Sequence, residues 1–71
     1  MKKLVIHTSF DTCYIGENRI SMRFSFVDGV EKCIPSCPEE IIYFEYDSKI
    51  VTKEEIIKVV EDMDFVITKV E

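Results

Sequence analysis

Three cysteines are the side chains in this sequence best suited to chemistry: Cys13, Cys33 and Cys37. Thiolates bind soft ions such as Cu(I), for which two or three are enough, and Zn(II), which takes four N, S or O ligands. An odd number of cysteines excludes a complete disulfide framework within one chain, although any two could pair. The lone histidine, His7, falls on the polar side of an alternating segment. It is predicted to be an exposed strand residue, with a ligand role as the alternative.

The predicted secondary structure on either side of Cys13 determines where its thiol would lie. Alternating apolar residues in Leu4–Phe10 predict a strand with one buried face, and the polar stretch from Asp11 to Gly16 predicts a turn. The segment Glu17–Val27 fits a helix but also alternates as a strand would. We favour the helix because the segment starts with a polar turn and Asp28-Gly29 provides a stop. In a helix, Met22 and Phe26 lie off the inner face. They then form either a wide apolar face or an exposed patch that meets a partner or a second copy.

The second half of the chain predicts two strands, a helix and a last strand. Val30–Cys37 and Ile41–Tyr46 are the two strands, and Pro35 places the first of them at a sheet edge because proline donates no ladder hydrogen bond. Thr52 and Glu55 form a capping box at the start of the helix. The helix then carries an apolar stripe, ends at Asp64 and is followed by a strand over Phe65–Val70. The stripe consists of Ile56, Val59, Val60 and Met63.

This β-α-β-β-α-β order predicts an α+β fold, the ferredoxin-like sandwich, with a four-stranded antiparallel sheet and two helices on one face. We expect one domain over residues 1–71. The second and fourth strands would be the outer ones. The topology brings the Cys13 loop, the Cys37 hairpin and the Asp64-Phe65 turn to one end of the sheet.

Composition limits the classes of function. The 71 residues are 46% hydrophobic, which excludes a disordered tail, and no apolar run approaches the roughly 20 residues of a membrane helix. The apolar run after Met1-Lys2-Lys3 is too short for a signal peptide, so a cytoplasmic protein is expected. The net charge of −5 argues against nucleic acid and suits a basic protein partner or a cation. No enzyme is predicted, since no catalytic triad spacing and no glycine-rich phosphate loop occur.

Four features resemble the heavy-metal-associated domain family, which comprises small copper chaperones and the N-terminal modules of metal-transporting P-type ATPases. Thr12-Cys13 matches the Thr-Cys of the family motif Gly-Met-Thr-Cys-x-x-Cys. Gly29-Val30 and Tyr46-Asp47 match by type and spacing, and the stretch from Val51 through Phe65 looks like the family's second helix. The resemblance implies the ferredoxin-like fold and a role in metal binding and transport. It also implies a partner that is a P-type ATPase or another metal-handling protein.

The metal loop departs from the family pattern. Gly16 stands where the second motif cysteine would be, and Asp64 replaces a late glycine. The family's apolar methionine falls on Asp11 by direct count. The strand alternation instead gives its core-plugging role to Phe10, with one extra residue in the loop. The standard pair of thiolates is therefore absent.

Two replacement metal sites are open. Cys13 could act with Cys37, as a chelate or a disulfide, or with a cysteine of a partner such as a second copy. A Cys33/Cys37 site would require the chain to fold back at its prolines, because residues four apart in a straight strand are about 13 Å apart. Weak additional ligands near Cys13 would be Asp11, Asp64 and Met63.

Two functional hypotheses follow. The first is a divergent metal-binding domain that binds and transfers Cu(I) or Zn(II) through cysteine thiolates. The second is a metal-free ferredoxin-like interaction or regulatory module that has lost the site.

Overall fold

The computed structural model describes residues 1–10 and 12–71. The predicted element order is confirmed. The elements are β1 (Lys2–Thr8), α1 (Cys13–Phe24), β2 (Val30–Ser36), β3 (Ile41–Tyr46), α2 (Lys53–Asp62) and β4 (Ile67–Val70). Within the described residues, no helix is long and apolar enough to cross a membrane.

The strands form one antiparallel sheet in the order β2-β3-β1-β4. The outer strands are therefore β2 and β4, as predicted, and Pro35 lies on the edge strand, where a missing N–H costs no ladder bond. At the centre, Leu4 lies opposite Phe44 and Ile6 opposite Ile42. These alternating residues point to the same face, which the helices cover.

The core lies between that sheet face and the two helices. Helix α1 contributes Ile20 and Phe24, and the Phe24 ring meets Phe44 edge to face at 4.7 Å between centroids. Helix α2 contributes Ile56 and Val60, both fully buried. Full burial of such a side chain is worth about 1.5–3 kcal/mol, so the apolar stripes of both helices determine how they dock on the sheet.

The segment with two possible structures is a helix. Its bounds differ from the prediction: α1 begins at Cys13, inside the stretch predicted as a turn, and ends at Phe24, three residues before Val27. Val27 instead donates a hydrogen bond back to the Phe24 carbonyl in the turn that follows. The side chains of Met22 and Phe26 are 67% and 78% exposed. They lie off the inner face, as the helical interpretation predicts.

The second helix begins as predicted but ends at Asp62, two residues before the predicted end at Asp64, and the last strand begins later than predicted. Thr52 and Glu55 form the capping box. Asp64 adopts a left-handed conformation with φ of 68°, a backbone that glycine adopts without steric cost. Strand β4 then starts at Ile67, two residues later than predicted. The reason is that Phe65 packs against the core instead of continuing the ladder.

Candidate functional site

Cys13 and Cys37 come together at one end of the sheet. Cys13 is the first residue of α1 and is exposed, whereas Cys37 directly follows β2 and is buried. Their Cα atoms are 5.3 Å apart and their sulfurs are joined in a disulfide. This separation is within the range that a disulfide requires. The loop after β1 and the hairpin after β2 therefore meet as the predicted topology required.

A glutamate links the same two elements a second time. The Cys37 backbone N–H donates to Glu17 Oε2 at 2.7 Å, in a partly buried hydrogen bond. Glu17 follows Cys13 by four residues, one turn along α1, so the two side chains lie on the same side of the helix. In the sequence, Glu17 is recognisable only as part of a polar first turn. No local pattern could have identified it, because its partner lies 20 residues further along the chain.

The position of the missing motif cysteine is filled by an aromatic ring. Gly16 is buried, and a Cβ atom placed on it would lie 2.9 Å from Phe10 Cδ2. Carbon atoms pack comfortably at about 3.5–4.0 Å, so no larger side chain fits here unless Phe10 moves. Phe10 thus lies beneath the loop, where the strand alternation placed it. The sulfur that pairs with Cys13 comes instead from Cys37, which follows β2.

Phe65 packs beneath the Cys13 loop together with Phe10. Its ring meets Phe10 at 5.7 Å between centroids, and the Arg19 guanidinium carbon lies 5.8 Å from its centroid. Arg19 also donates to the Met63 carbonyl at 3.3 Å. These contacts join the middle of α1, and Phe10 before it, to the chain that leaves α2.

The predicted additional ligands do not form a cluster in the part of the chain that is described. Asp64 is exposed at the end of α2, and Met63 packs against the core. Asp11 lies outside the described residues. Over residues 1–10 and 12–71, no group of three or more His, Cys, Asp and Glu side chains is placed to hold a metal ion. Among the predicted ligands in the described residues, Cys13 and Cys37 are the two that the structure brings into contact.

Cys33 lies apart from that pair. It is a free thiol in β2, opposite Phe44, half-buried and packed against the core. The ladder continues without interruption from Cys33 to Ser36, so the chain does not fold back as a Cys33/Cys37 site requires. Burial raises the pKa of the Cys33 thiol to about 12, which keeps it protonated at neutral pH.

His7 is on the open face of the sheet, as predicted. Its Nε2 atom contacts the Glu71 carboxylate. The hydrogen bond from His7, together with the charge of Lys69, holds the pKa of Glu71 below its ordinary value. His7 and Glu71 thus form a surface contact between β1 and the residue that follows β4.

Comparison with known proteins yields similarity only at the level of structure. No family model matches the sequence, and no curated protein matches it. A solution structure of a candidate copper-ion-binding protein from Bacillus anthracis str. Ames superposes with a TM-score of 0.85 at 24% identity, covering 94% of each chain. A crystal structure of a copper-binding domain from HMA7, a P-type ATPase, also gives a TM-score of 0.85, at 25% identity, covering 100% of this chain and 99% of the other.

Proposed function

We propose that this chain, a heavy-metal-associated-like domain by its fold and structural neighbours, binds a thiophilic metal ion as cargo through Cys13 and Cys37. The observation that carries the proposal is the 5.3 Å separation of their Cα atoms. Two cysteines close enough to bond to each other can, once reduced, direct both thiolates at one ion. Two soft donors suit Cu(I), whereas Zn(II) would need two further ligands from elsewhere.

The unequal exposure of the two cysteines supports transfer by ligand exchange. Cys13 is exposed and Cys37 is buried. An incoming thiolate of a partner therefore meets the ion from the Cys13 side and displaces Cys13 first, while Cys37 releases the ion last. The partner we propose is a metal-transporting P-type ATPase or another metal-handling protein. This partner is supported by the ATPase domain among the structural neighbours.

In this proposal the disulfide is the form that carries no metal. Its sulfurs have no thiolate charge to donate, so two electrons must be added to convert it into two thiolates. Any proton that a thiol takes up on reduction is released again when the ion binds. The domain would then bind metal only in its reduced form. The oxidised form would keep the fold and the loop geometry.

The test is binding of Cu(I) and of Zn(II) to the fully reduced protein, with mass and oligomeric state measured on the same samples. We expect one equivalent of Cu(I) per chain, loss of tight binding in Cys13→Ser and in Cys37→Ser, and unchanged binding in the matched control Cys33→Ser. Binding that depends on Cys13 alone and produces a dimer would instead mean that a second copy supplies the other thiolate. Binding no stronger than that of a simple thiol would refute the metal proposal.

A specific surface supports the second candidate function, a metal-free interaction module. Met22 and Phe26 are exposed beside two arginines of α1, and together with the end of α2 they line a shallow groove. The groove is lined by Arg19, Met22, Arg23, Phe26 and Met63. If the reduced protein binds no metal, this groove is the surface on which to look for a partner.

A further inference from the structure

We propose that Glu17 is a positioning residue that holds Cys37 beside Cys13 when the disulfide is open. The inference deepens the proposed function, because the same two cysteines would bind the ion, but its test uses no metal. In this proposal the Glu17 carboxylate on α1 keeps the thiols of Cys13 and Cys37 adjacent in the reduced protein.

Glu17 and Cys37 are joined by a charge-assisted hydrogen bond. Glu17 Oε2 accepts the Cys37 backbone N–H at 2.7 Å. A hydrogen bond to a charged acceptor is shorter and stronger than a neutral one, and partial burial protects it from competing water. Because the donor is the backbone of Cys37, the bond fixes the Cα atom of that residue and not merely a rotamer.

The hydrogen bond between Glu17 and Cys37 remains when the Cys13–Cys37 disulfide is reduced. It involves neither sulfur atom, so opening the disulfide removes the covalent link between α1 and the hairpin and leaves this hydrogen bond in place. Helix α1 therefore contacts Cys37 at two places. Glu17 accepts a hydrogen bond from the Cys37 backbone, and Cys13, one turn earlier, lies next to the Cys37 sulfur.

The other backbone hydrogen bonds of this turn do not reach α1. Glu40 N–H donates to the Cys37 carbonyl, which shapes the turn from within. The carbonyl of Glu40 accepts from Thr8 N–H, which ties the turn to β1. Among the hydrogen bonds of the described residues, the one from Cys37 to Glu17 is what joins this turn to α1.

The consequence is measurable in a thiol–disulfide equilibrium. With glutathione disulfide as oxidant, the exposed Cys13 thiolate attacks one of its sulfurs and releases one glutathione. The Cys37 thiolate then attacks the Cys13 sulfur of the mixed disulfide and releases the second. Two thiols of the protein are oxidised to one disulfide, and one glutathione disulfide is reduced to two glutathione thiols that take up both protons. The equilibrium constant, an effective concentration, rises with the fraction of reduced molecules in which the two thiols are adjacent.

The experiment compares this equilibrium in wild type, Glu17→Ala, Glu17→Gln and the control Glu39→Ala. Glu39 is an acid of the same hairpin whose carboxylate accepts a hydrogen bond from the Ser36 hydroxyl. Given the strength of a hydrogen bond to a charged group, we expect Glu17→Ala to lower the effective concentration roughly tenfold. Glu17→Gln keeps an oxygen acceptor and should restore most of it, and Glu39→Ala should match wild type. Equal values for Glu17→Ala and Glu39→Ala would overturn the proposal.

Amide hydrogen exchange in the reduced protein supplies a direct second measurement. The Cys37 amide should stay protected in reduced wild type and lose that protection in Glu17→Ala. An unprotected Cys37 amide in reduced wild type would also overturn the proposal. The outcome is separable from the metal question. A shifted glutathione equilibrium without Cu(I) binding refutes the metal proposal alone, and Cu(I) binding with an unshifted equilibrium refutes the role of Glu17 alone.

Discussion

Opening the Cys13–Cys37 disulfide should cost this domain a large part of its stability. The bond joins residues 24 apart in the sequence. By the chain-entropy relation, closing a loop of this length stabilises the folded state by about 3.5 kcal/mol at 25 °C. A domain of 71 residues has a total free energy of unfolding of only about 4–11 kcal/mol. At the usual 4–8 °C per kcal/mol for this size, reduction should lower the melting temperature by roughly 14–28 °C.

The assay is urea unfolding of wild type with and without a reductant, alongside the double variant Cys13→Ser/Cys37→Ser. The variant should match reduced wild type in both conditions. The matched control is Cys33→Ser, which leaves the disulfide intact and should show the same drop on reduction as wild type. Alkylation followed by mass measurement counts the free thiols in each sample. Equal midpoints for oxidised and reduced wild type, with one free thiol before reduction and three after it, would refute the loop-closure argument. Three free thiols before reduction would refute the bond itself.

The same titration connects the disulfide to the proposed cargo. An ion that binds only the folded reduced protein stabilises it by about 2.7 kcal/mol at a free concentration one hundred times Kd. Cu(I) should therefore recover much of the stability lost on reduction, and should recover none in the double variant. Equal recovery in both proteins would mean that the ion binds elsewhere.

Two further outcomes follow from the packing around the cysteines. Cys33 should be the slowest thiol to alkylate in the reduced protein at pH 8, because a pKa of about 12 leaves only about one thiolate in ten thousand; rapid labelling in the folded state would contradict its burial. Gly16→Ala should destabilise the protein by about 1–3 kcal/mol in urea unfolding, because the new Cβ atom would press on the Phe10 ring. If that substitution is neutral, Phe10 moves freely and does not block position 16.

The fold was accessible from the sequence because its signals are local. The capping box at Thr52 and the alternation in β1 and β3 each act within a few residues, and their order allows few topologies. The segment over Glu17–Val27 was ambiguous for the same reason. Its apolar residues fit both periods, and packing of Ile20 and Phe24 against the sheet selects the helix. The start of β4 was misplaced because Phe65 has a tertiary partner, Phe10, that strand propensity does not reveal.

The sequence by itself determined which elements form, that Cys13 and Cys37 lie at the same end of the sheet, and that the second motif thiol is missing. The tertiary structure decided the rest. It placed the Cα atoms of Cys13 and Cys37 5.3 Å apart, kept Cys33 in the ladder, filled the space at Gly16 with Phe10 and gave Cys37 a partner in Glu17. The physical reason is that each of these outcomes depends on distances between residues remote in sequence. Such distances are set only when the helices dock on the sheet and the core closes.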